Sequence, residues 1–466
     1  MGSSILYTIL QSLSASDRQA LRKFLHSPYH NKREDVQQLF DYLASEKQAP
    51  PDREEVFRHL FPQQAFDAAT LNHAVSQLTK RIEYWLALEQ AQSETLYWES
   101  CLAKAYRQRE LTKLLQRSVQ TASKNLAAQP YRHSGYYRAL VTLQQEALFG
   151  LQQQGRNKNL HLHALSEAQD LALIAEKLRV GCLLISHRNM TRTEYGSGLL
   201  DALLAFLHQH PYLEIPAIAV YYHGYLAQTA PEPEPHFYAL TALLEQHTAL
   251  FPMEELHDIY LIAINFCIKK VNLGEDTWFH NIFNLYKKGL DAGIFMENER
   301  LSRWTFNNIV STAIRVRELD WAKSFMGKYA KALDPDTREA TCAFNLARVY
   351  YEEKNYTEAL RVLHQMEHDD VLEVLNAKAL RMKLFYKLGE WQALDSLLDS
   401  ITIYLRRKKM LSYHKENFAN TVSAMRKLIA LNLYDAAARA AFAQQVQTYK
   451  VLTEKKWFLE QVSYSK

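Results

Sequence analysis

Residues 343–363 read AFNLARVYYEEKNYTEALRVL, and this stretch predicts two helices joined by a short turn. Apolar residues recur at helical spacing on both sides of the turn, with Ala347 and Tyr350 before it and Ala359 and Leu363 after it. A small residue lets two helices approach closely, while a large aromatic side chain fills the space beside a turn. The stretch therefore predicts a helical hairpin that packs through its alanines.

A polar residue followed by an aromatic one recurs around this hairpin at a fixed interval. The pairs Asp320-Trp321, Asn355-Tyr356 and Glu390-Trp391 are separated by 35 residues each time. That interval is close to the 34 residues of a tetratricopeptide repeat (TPR), and the apolar spacing of residues 343–363 matches the TPR pattern with substitutions. We predict TPR-like helix pairs, clearest over residues 300–440, with Trp321, Tyr356 and Trp391 as equivalent buried wedges between helices.

The composition of the 466-residue chain agrees with a helical protein. It contains 13 glycines and 12 prolines, roughly half of what ordinary frequencies of about 7% and 5% would give. Tight hairpin turns and phosphate-binding loops depend on glycine, so this deficit disfavours sheet-rich folds and nucleotide-binding α/β folds. We predict an all-α protein, an α-α superhelix of the kind formed by a degenerate TPR-like solenoid.

The N-terminal part of the chain, residues 1–130, has helical patterns without a visible repeat. Ser14 and Asp17 have the spacing of a capping box, which predicts a helix start. A solenoid needs a modified end that covers its last apolar face. We therefore predict an N-terminal helical cap over residues 1–130 and a TPR-like helical repeat region over residues 131–466.

Several short phrases in the chain resemble a known family. They are FLHSPYHN at 24–31, NFCI at 265–268, LYKKGL at 285–290, FNNIV at 306–310 and WA at 321–322. These phrases are similar to those of a family of uncharacterised bacterial TPR-like α-helical repeat proteins, over most of the chain. The resemblance implies a helical-repeat fold and implies no activity and no catalytic residue.

Sequence patterns of common catalytic and cofactor sites are missing. The chain has no GxxxxGK[ST], GxGxxG, HExxH or GxSxG. The closest histidine pairs, His161 with His163 and His208 with His210, are two residues apart and would not face each other on a helix. We predict a non-enzymatic protein without cofactor or metal.

The cysteines and the apolar stretches bear on the compartment. The four cysteines lie about 75 to 85 residues apart with no CxxC pair, which predicts buried, reduced thiols. The chain begins without a basic leader, and its most apolar stretch, Ile259–Ile268, is about half a membrane span long. We predict a soluble, cytoplasmic protein that does not enter a membrane.

A TPR-like stack would place the first helix of each pair on its inner wall. The positions expected to face inward around residues 343–363 and in the next pair are Phe344, Asn345, Arg348, Tyr351, Lys383 and Tyr386. Tyrosine and arginine are enriched at interface hot spots, and cations suit acidic or C-terminal carboxylate groups. These residues predict an interaction scaffold that binds a protein or peptide. An equally weighted alternative is that they pack against a neighbouring helix.

Two basic segments support a different function, nucleic-acid binding. They are residues 104–117 and residues 406–409, the second lying between Tyr404 and Tyr413. Positive charge beside aromatic rings suits phosphates and stacked bases. The net charge of +4 is small, and the pI near 8.6 is below the value of roughly 9 that marks a dedicated nucleic-acid domain. This alternative requires both segments to share one face. A third hypothesis is an enzyme whose site is dispersed along the chain.

Overall fold

The computed structural model describes residues 5–45, 52–152, 160–191, 193–364, 371–407 and 412–463. These residues form 23 α-helices and one two-stranded hairpin, and about 81% of the structure is helical. The all-α prediction is therefore confirmed, whereas the superhelix stays a prediction. Within the described ranges, no helix combines the length and the apolar character that crossing a membrane requires.

The chain divides into two compact units, Met1–Lys177 and Leu178–Lys466. The predicted division near residue 130 lies inside the first unit, in a loop between two helices. The helices that begin in the first unit are α1 Ile5–Ser12, α2 Ala15–His26, α3 Glu34–Ser45, α4 Arg53–Leu60, α5 Ala68–Ser93, α6 Thr95–Gln108, α7 Thr112–Ala128, α8 Ser134–Gln152 and α9 Leu162–Thr191.

The first unit has a core built by its first five helices. The predicted capping box is present at the start of α2, where Ser14 and Asp17 each accept the backbone N–H of the other. An apolar stripe along α5 that includes Leu71, Leu78 and Ile82 is fully buried against α1 to α4. Burial of such a stripe stabilises a helix more than its intrinsic propensity does.

The second unit continues as short helices joined by tight turns. Its helices are α10 Leu200–Leu207, α11 Pro216–Thr229, α12 Glu234–His247, α13 Met253–Asn272, α14 Phe279–Asp291, α15 Arg303–Arg315, α16 Leu319–Tyr329, α17 Pro335–Glu352, α18 Tyr356–His364, α19 Val371–Leu388, α20 Trp391–Arg407, α21 Ser412–Ala430, α22 Ala436–Thr448 and α23 Lys455–Ser463. Strands β1 Met296–Glu297 and β2 Arg300–Leu301 pair antiparallel between α14 and α15.

The helix pairs α15/α16, α17/α18 and α19/α20 are joined by turns of one type. Each turn contains a residue with positive φ, namely Arg317 at 65°, Lys354 at 63° and Gly389 at 74°. The N–H of the following residue donates to the carbonyl five positions earlier, at 2.9, 2.9 and 3.0 Å. This is the hydrogen bond of a Schellman motif. In addition, α15 contacts α17, and α17 contacts α19, as the first helices of consecutive pairs.

The aromatic residues used to detect the repeat are not fully equivalent. Tyr356 and Trp391 are the first residues of α18 and α20, whereas Trp321 is the third residue of α16, which begins at Leu319. The positive-φ residues of the three turns are therefore 37 and 35 residues apart. The interval of 35 residues describes the spacing of the aromatic side chains. The first two backbone turns are two residues further apart than that.

The predicted burial of these aromatics is wrong for one of them. Trp391 is 52% exposed, and its ring meets only the edge of Tyr386 with the centroids 5.8 Å apart. Trp321 is half-buried and packs on Phe283 and Phe325, at centroid distances of 4.8 and 5.5 Å. The difference arises because Trp321 lies two residues further into its helix, where its ring reaches a neighbouring core.

Candidate binding surface on α17 and α19

Helices α17 and α19 position the six residues predicted to bind a partner. Helix α17 starts with Asp334 as its N-cap, whose carboxylate accepts the N–H of Asp336, and with Pro335 in the first turn. Because α17 and α19 are in direct contact, side chains from both helices can meet. The predicted residues on α17 and then on α19 are Phe344, Asn345, Arg348, Tyr351, Lys383 and Tyr386.

Asn345 attaches α17 to α15. Its side chain is fully buried, and its amide donates to the side-chain oxygen of Asn307 at 2.6 Å and to the carbonyl of Thr341 at 2.9 Å. A buried amide that finds partners avoids the cost of an unsatisfied polar group. The prediction that Asn345 contacts a partner protein is therefore wrong, because the α15 helix already satisfies this residue.

Arg348 also belongs mainly to the α15–α17 contact. Its guanidinium donates to the hydroxyl of Ser311 at 2.9 Å and to Asn345 Oδ1 at 3.2 Å. It lies 5.7 Å from the ring centroid of half-buried Phe344. Burial lowers the pKa of Arg348 to about 10, with a smaller effect from the nearby charge of Arg315, and the group stays positive at neutral pH. For Asn345 and Arg348, the alternative of packing against a neighbouring helix describes the structure.

The other three predicted residues are Tyr351 and Tyr386, which contact Trp457 of α23, and Lys383, which contacts Glu454 just before α23. We call these three the α17–α19 surface, and residues 452–463 the C-terminal segment. The indole N–H of Trp457 donates to the Tyr351 hydroxyl at 2.5 Å, and its ring packs edge-on against Tyr386 at 5.5 Å. Burial raises the pKa of the Tyr351 hydroxyl, so this group stays protonated at neutral pH.

An ion pair adjoins this aromatic contact. The ammonium of Lys383 lies 2.9 Å from a carboxylate oxygen of Glu454 and 5.3 Å from the centroid of the Tyr351 ring. The two side chains of the pair are only 15% and 27% exposed. Because water screens such a pair less than it screens a fully exposed one, we expect a larger contribution to binding than the usual surface value. Further along the segment, Lys387 donates to Gln461 at 2.5 Å.

The C-terminal segment also enters a hydrophobic core. Leu452, Phe458 and Val462 are buried in a cluster that also contains residues of α19 to α22. The loop before α23 is fixed to α21, because Asn417 accepts the N–H of Thr453 at 2.7 Å. The same cluster includes Trp457, and Tyr351 and Tyr386 pack against it, so the α17–α19 surface and this core hold the segment together.

The basic segments are only partly available for an external ligand. Within residues 104–117, Arg107 pairs with Glu146 at 2.8 Å and lies over the Phe149 ring at 4.6 Å. Arg406 and Arg407 are exposed at the end of α20, while Lys408 and Lys409 lie outside the described residues. The two segments belong to different compact units.

Two histidines outside the predicted sites form a close imidazole pair. His223 on α11 and His236 on α12 have their Nδ1 atoms 3.0 Å apart. Burial lowers the pKa of both, helped by the charge of His236 for His223 and of His208 for His236. A separation of 13 residues matches no metal-binding motif, so no sequence signal marks the pair. Among the described residues, no group of three or more His, Cys, Asp or Glu side chains is arranged to hold a metal ion.

All four cysteines are free thiols, but they are not equally buried. Cys182 and Cys267 are buried, and burial raises the pKa of both, that of Cys267 to about 12. Cys342 is half-buried, and burial raises its pKa as well. Cys101 is exposed on α6, so the prediction of a buried thiol is wrong at this position.

No family model, curated protein or solved structure matches this chain. The resemblance to uncharacterised bacterial TPR-like proteins therefore stays a prediction.

Proposed function

We propose that this protein is a non-enzymatic interaction scaffold that binds a helical segment of another protein on the α17–α19 surface. The observation that carries the proposal is the contact with α23. The surface holds a helix through an indole between Tyr351 and Tyr386 and a carboxylate on Lys383. Aromatic anchors beside a shielded charge pair are typical of interface hot spots.

The contacts with the C-terminal segment define the chemistry of the proposed partner. Glu454 directly precedes α23 and its carbonyl accepts the N–H of Phe458, and Trp457 lies three residues later in the first turn of the helix. The proposed partner helix therefore presents a carboxylate and, three residues later, a large aromatic side chain. Such a helix would replace the C-terminal segment. The partner helix has to compete with the C-terminal segment, which is tethered to the same chain. The effective concentration of a segment on a short linker is on the order of millimolar.

Binding of a labelled peptide with the sequence of residues 450–463 tests this proposal. The variant Trp457→Ala weakens the hold of the internal segment, so we expect it to bind the peptide at least about tenfold more tightly than the parent chain. Adding Lys383→Glu should abolish that binding, because it places like charges together. Fluorescence anisotropy measures both affinities.

A matched control uses Lys427, an exposed lysine on α21 of the same unit. Lys427→Glu changes the net charge as Lys383→Glu does and should leave peptide binding intact. Absence of binding to Trp457→Ala, or an equal loss with Lys427→Glu, would contradict the proposal. Capture of partners from native cells, with and without nuclease, separates a protein ligand from a nucleic acid.

A further inference from the structure

Helix α6, in the first unit, exposes large apolar side chains. Tyr97, Trp98 and Leu102 are 56%, 45% and 38% exposed, and Leu111 and Leu114, at the turn and the start of α7, are 41% and 42% exposed. Single exposed apolar residues are common, whereas several on one hairpin mark an interaction surface. We call residues 95–128, which form α6, α7 and their turn, the α6–α7 hairpin.

The same hairpin concentrates positive charge. Its sequence contains six basic and two acidic residues, an excess of four that equals the net charge of the whole chain. Two of these charges are already engaged, since Arg107 pairs with Glu146 and Glu99 accepts from Asn125 at 2.5 Å. The basic residues that are exposed and have no carboxylate partner within the described ranges are Lys104, Arg109, Lys113, Arg117 and Lys124.

The apolar and the positive groups share one face of α6. Trp98 and Leu102 follow one stripe at i and i+4, Tyr97 and Lys104 follow a second stripe at i and i+7, and Arg109 directly follows the last residue of α6. All five are exposed, whereas Ala103 on the opposite side is fully buried. The two stripes within α6 carry no carboxylate, while exposed Glu110 follows Arg109 at the turn. The exposed face is therefore an apolar stripe with cations on its flanks.

We propose that the exposed face of the α6–α7 hairpin binds an amphipathic helix of a partner protein whose apolar stripe is flanked by aspartate and glutamate. An amphipathic helix presents an apolar stripe about as wide as the one on α6, so the two stripes can pack together. Acidic flanks complement the unpaired cations and speed association. This surface lies in the first unit and is independent of the α17–α19 surface.

The composition of the face favours a protein helix over a nucleic acid. Three of the five exposed apolar side chains are leucines, Leu102, Leu111 and Leu114. Leucine packs against other apolar side chains, whereas a strand of bases is held by stacking on aromatic rings. The test therefore also measures binding of single-stranded DNA and of an anionic membrane.

The test uses the full chain and a synthetic acidic helix of about five turns, with leucines at helical spacing and glutamates on the flanks. We expect saturable binding by the parent chain. The double variant Trp98→Ala/Leu102→Ala should weaken it at least about tenfold, and Lys113→Glu/Arg117→Glu should weaken it by a similar factor while lowering its dependence on salt. A peptide with lysine in place of glutamate should not bind.

Two controls separate this proposal from loss of folding and from the proposed function. Tyr434→Ala removes an aromatic side chain that is 98% exposed in the second unit and should leave binding unchanged. Lys383→Glu should also leave binding of the acidic peptide unchanged, whether or not the α17–α19 surface binds a ligand. Circular dichroism verifies that each variant keeps the helical content of the parent.

Three results would overturn the proposal. The first is binding of the acidic peptide no tighter than that of the lysine peptide. The second is tighter binding of oligothymidylate that the same two double variants abolish. The third is binding to phosphatidylserine vesicles, lost in the same variants, that exceeds binding of the acidic peptide.

Discussion

At the scale of single residues, the contact between Trp457 and Tyr351 joins positions 106 residues apart in the sequence. Trp457 is 7% exposed, so removal of its side chain leaves a cavity as well as an unpaired hydroxyl. The contact therefore contributes both to the stability of the second unit and to the chemistry of the proposed binding surface.

We expect Trp457→Ala to lower the free energy of unfolding by about 3 to 5 kcal/mol, the range for large buried aromatic side chains. Trp391→Ala is the matched control, because this tryptophan is 52% exposed and should lose about half as much or less. Urea denaturation followed by circular dichroism measures both. Equal losses would show that Trp457 is not an anchor.

The pair formed by His223 and His236 makes stability depend on pH. Burial lowers both pKa values in the folded state, so the unfolded chain binds more protons near the ordinary histidine value of about 6.5. Stability from this pair is therefore present above about pH 6.5 and is lost as the pH falls below it. Urea midpoints measured between about pH 5 and 8 should show this fall.

The control for this prediction is a pair of single variants. His236→Gln should flatten the pH dependence, because only one imidazole remains. His280→Gln, at an exposed side chain on α14, is the control and should retain the pH dependence of the parent. If both variants behave alike, the His223–His236 contact has no part in the pH response.

At the scale of secondary-structure elements, the turns after α15, α17 and α19 differ in sequence but share one backbone conformation. The left-handed position is Arg317, Lys354 or Gly389, and only glycine adopts it without cost. A residue with a Cβ in this left-handed conformation lowers the stability of the folded state by roughly 1 to 2 kcal/mol. Two of the three turns therefore store strain that the surrounding helices overcome.

Glycine substitutions at these turns test that account. Lys354→Gly should raise the free energy of unfolding by up to about 1 kcal/mol, and Gly389→Ala should lower it by about 1 kcal/mol or more. Gly327→Ala is the control, because Gly327 lies within α16 with nothing near its Cβ position. There the same change should stabilise by about 0.5 to 1 kcal/mol. Thermal denaturation that gives one sign for both alanine variants would refute the account.

Local signals explain why the elements were predictable while the site was only partly so. The capping box at Ser14 and the N-cap at Asp334 act over three residues, and the sequence shows them directly. Apolar residues at helical spacing indicate that one face of a helix is buried. They do not indicate which element buries that face. Tyr351 and Lys383 were therefore predicted either to bind a partner or to pack against a neighbouring helix, whereas their contacts with Trp457 and Glu454 depend on tertiary packing.

At the scale of the whole molecule, the division into two units predicts two regions of independent local stability. Each unit is compact, and contiguous cooperative units open separately. We expect Phe40→Ala to increase hydrogen exchange mainly within Met1–Lys177, and Phe306→Ala mainly within Leu178–Lys466. Both side chains are fully buried, so the two variants are matched. Exchange that rises equally in both units after either change would indicate a single cooperative structure.

The exposed thiol of Cys101 makes the α6 face accessible to spectroscopy. The other three thiols are buried or half-buried and have raised pKa values, which suppress the reactive thiolate. A maleimide dye should therefore attach to Cys101 first. Cys101 is three residues from Trp98 on the same helix, so the dye would sit within energy-transfer range of that indole. The native sequence thus supplies both the indole and the attachment site for a dye that reports on this face, so no engineered cysteine is needed.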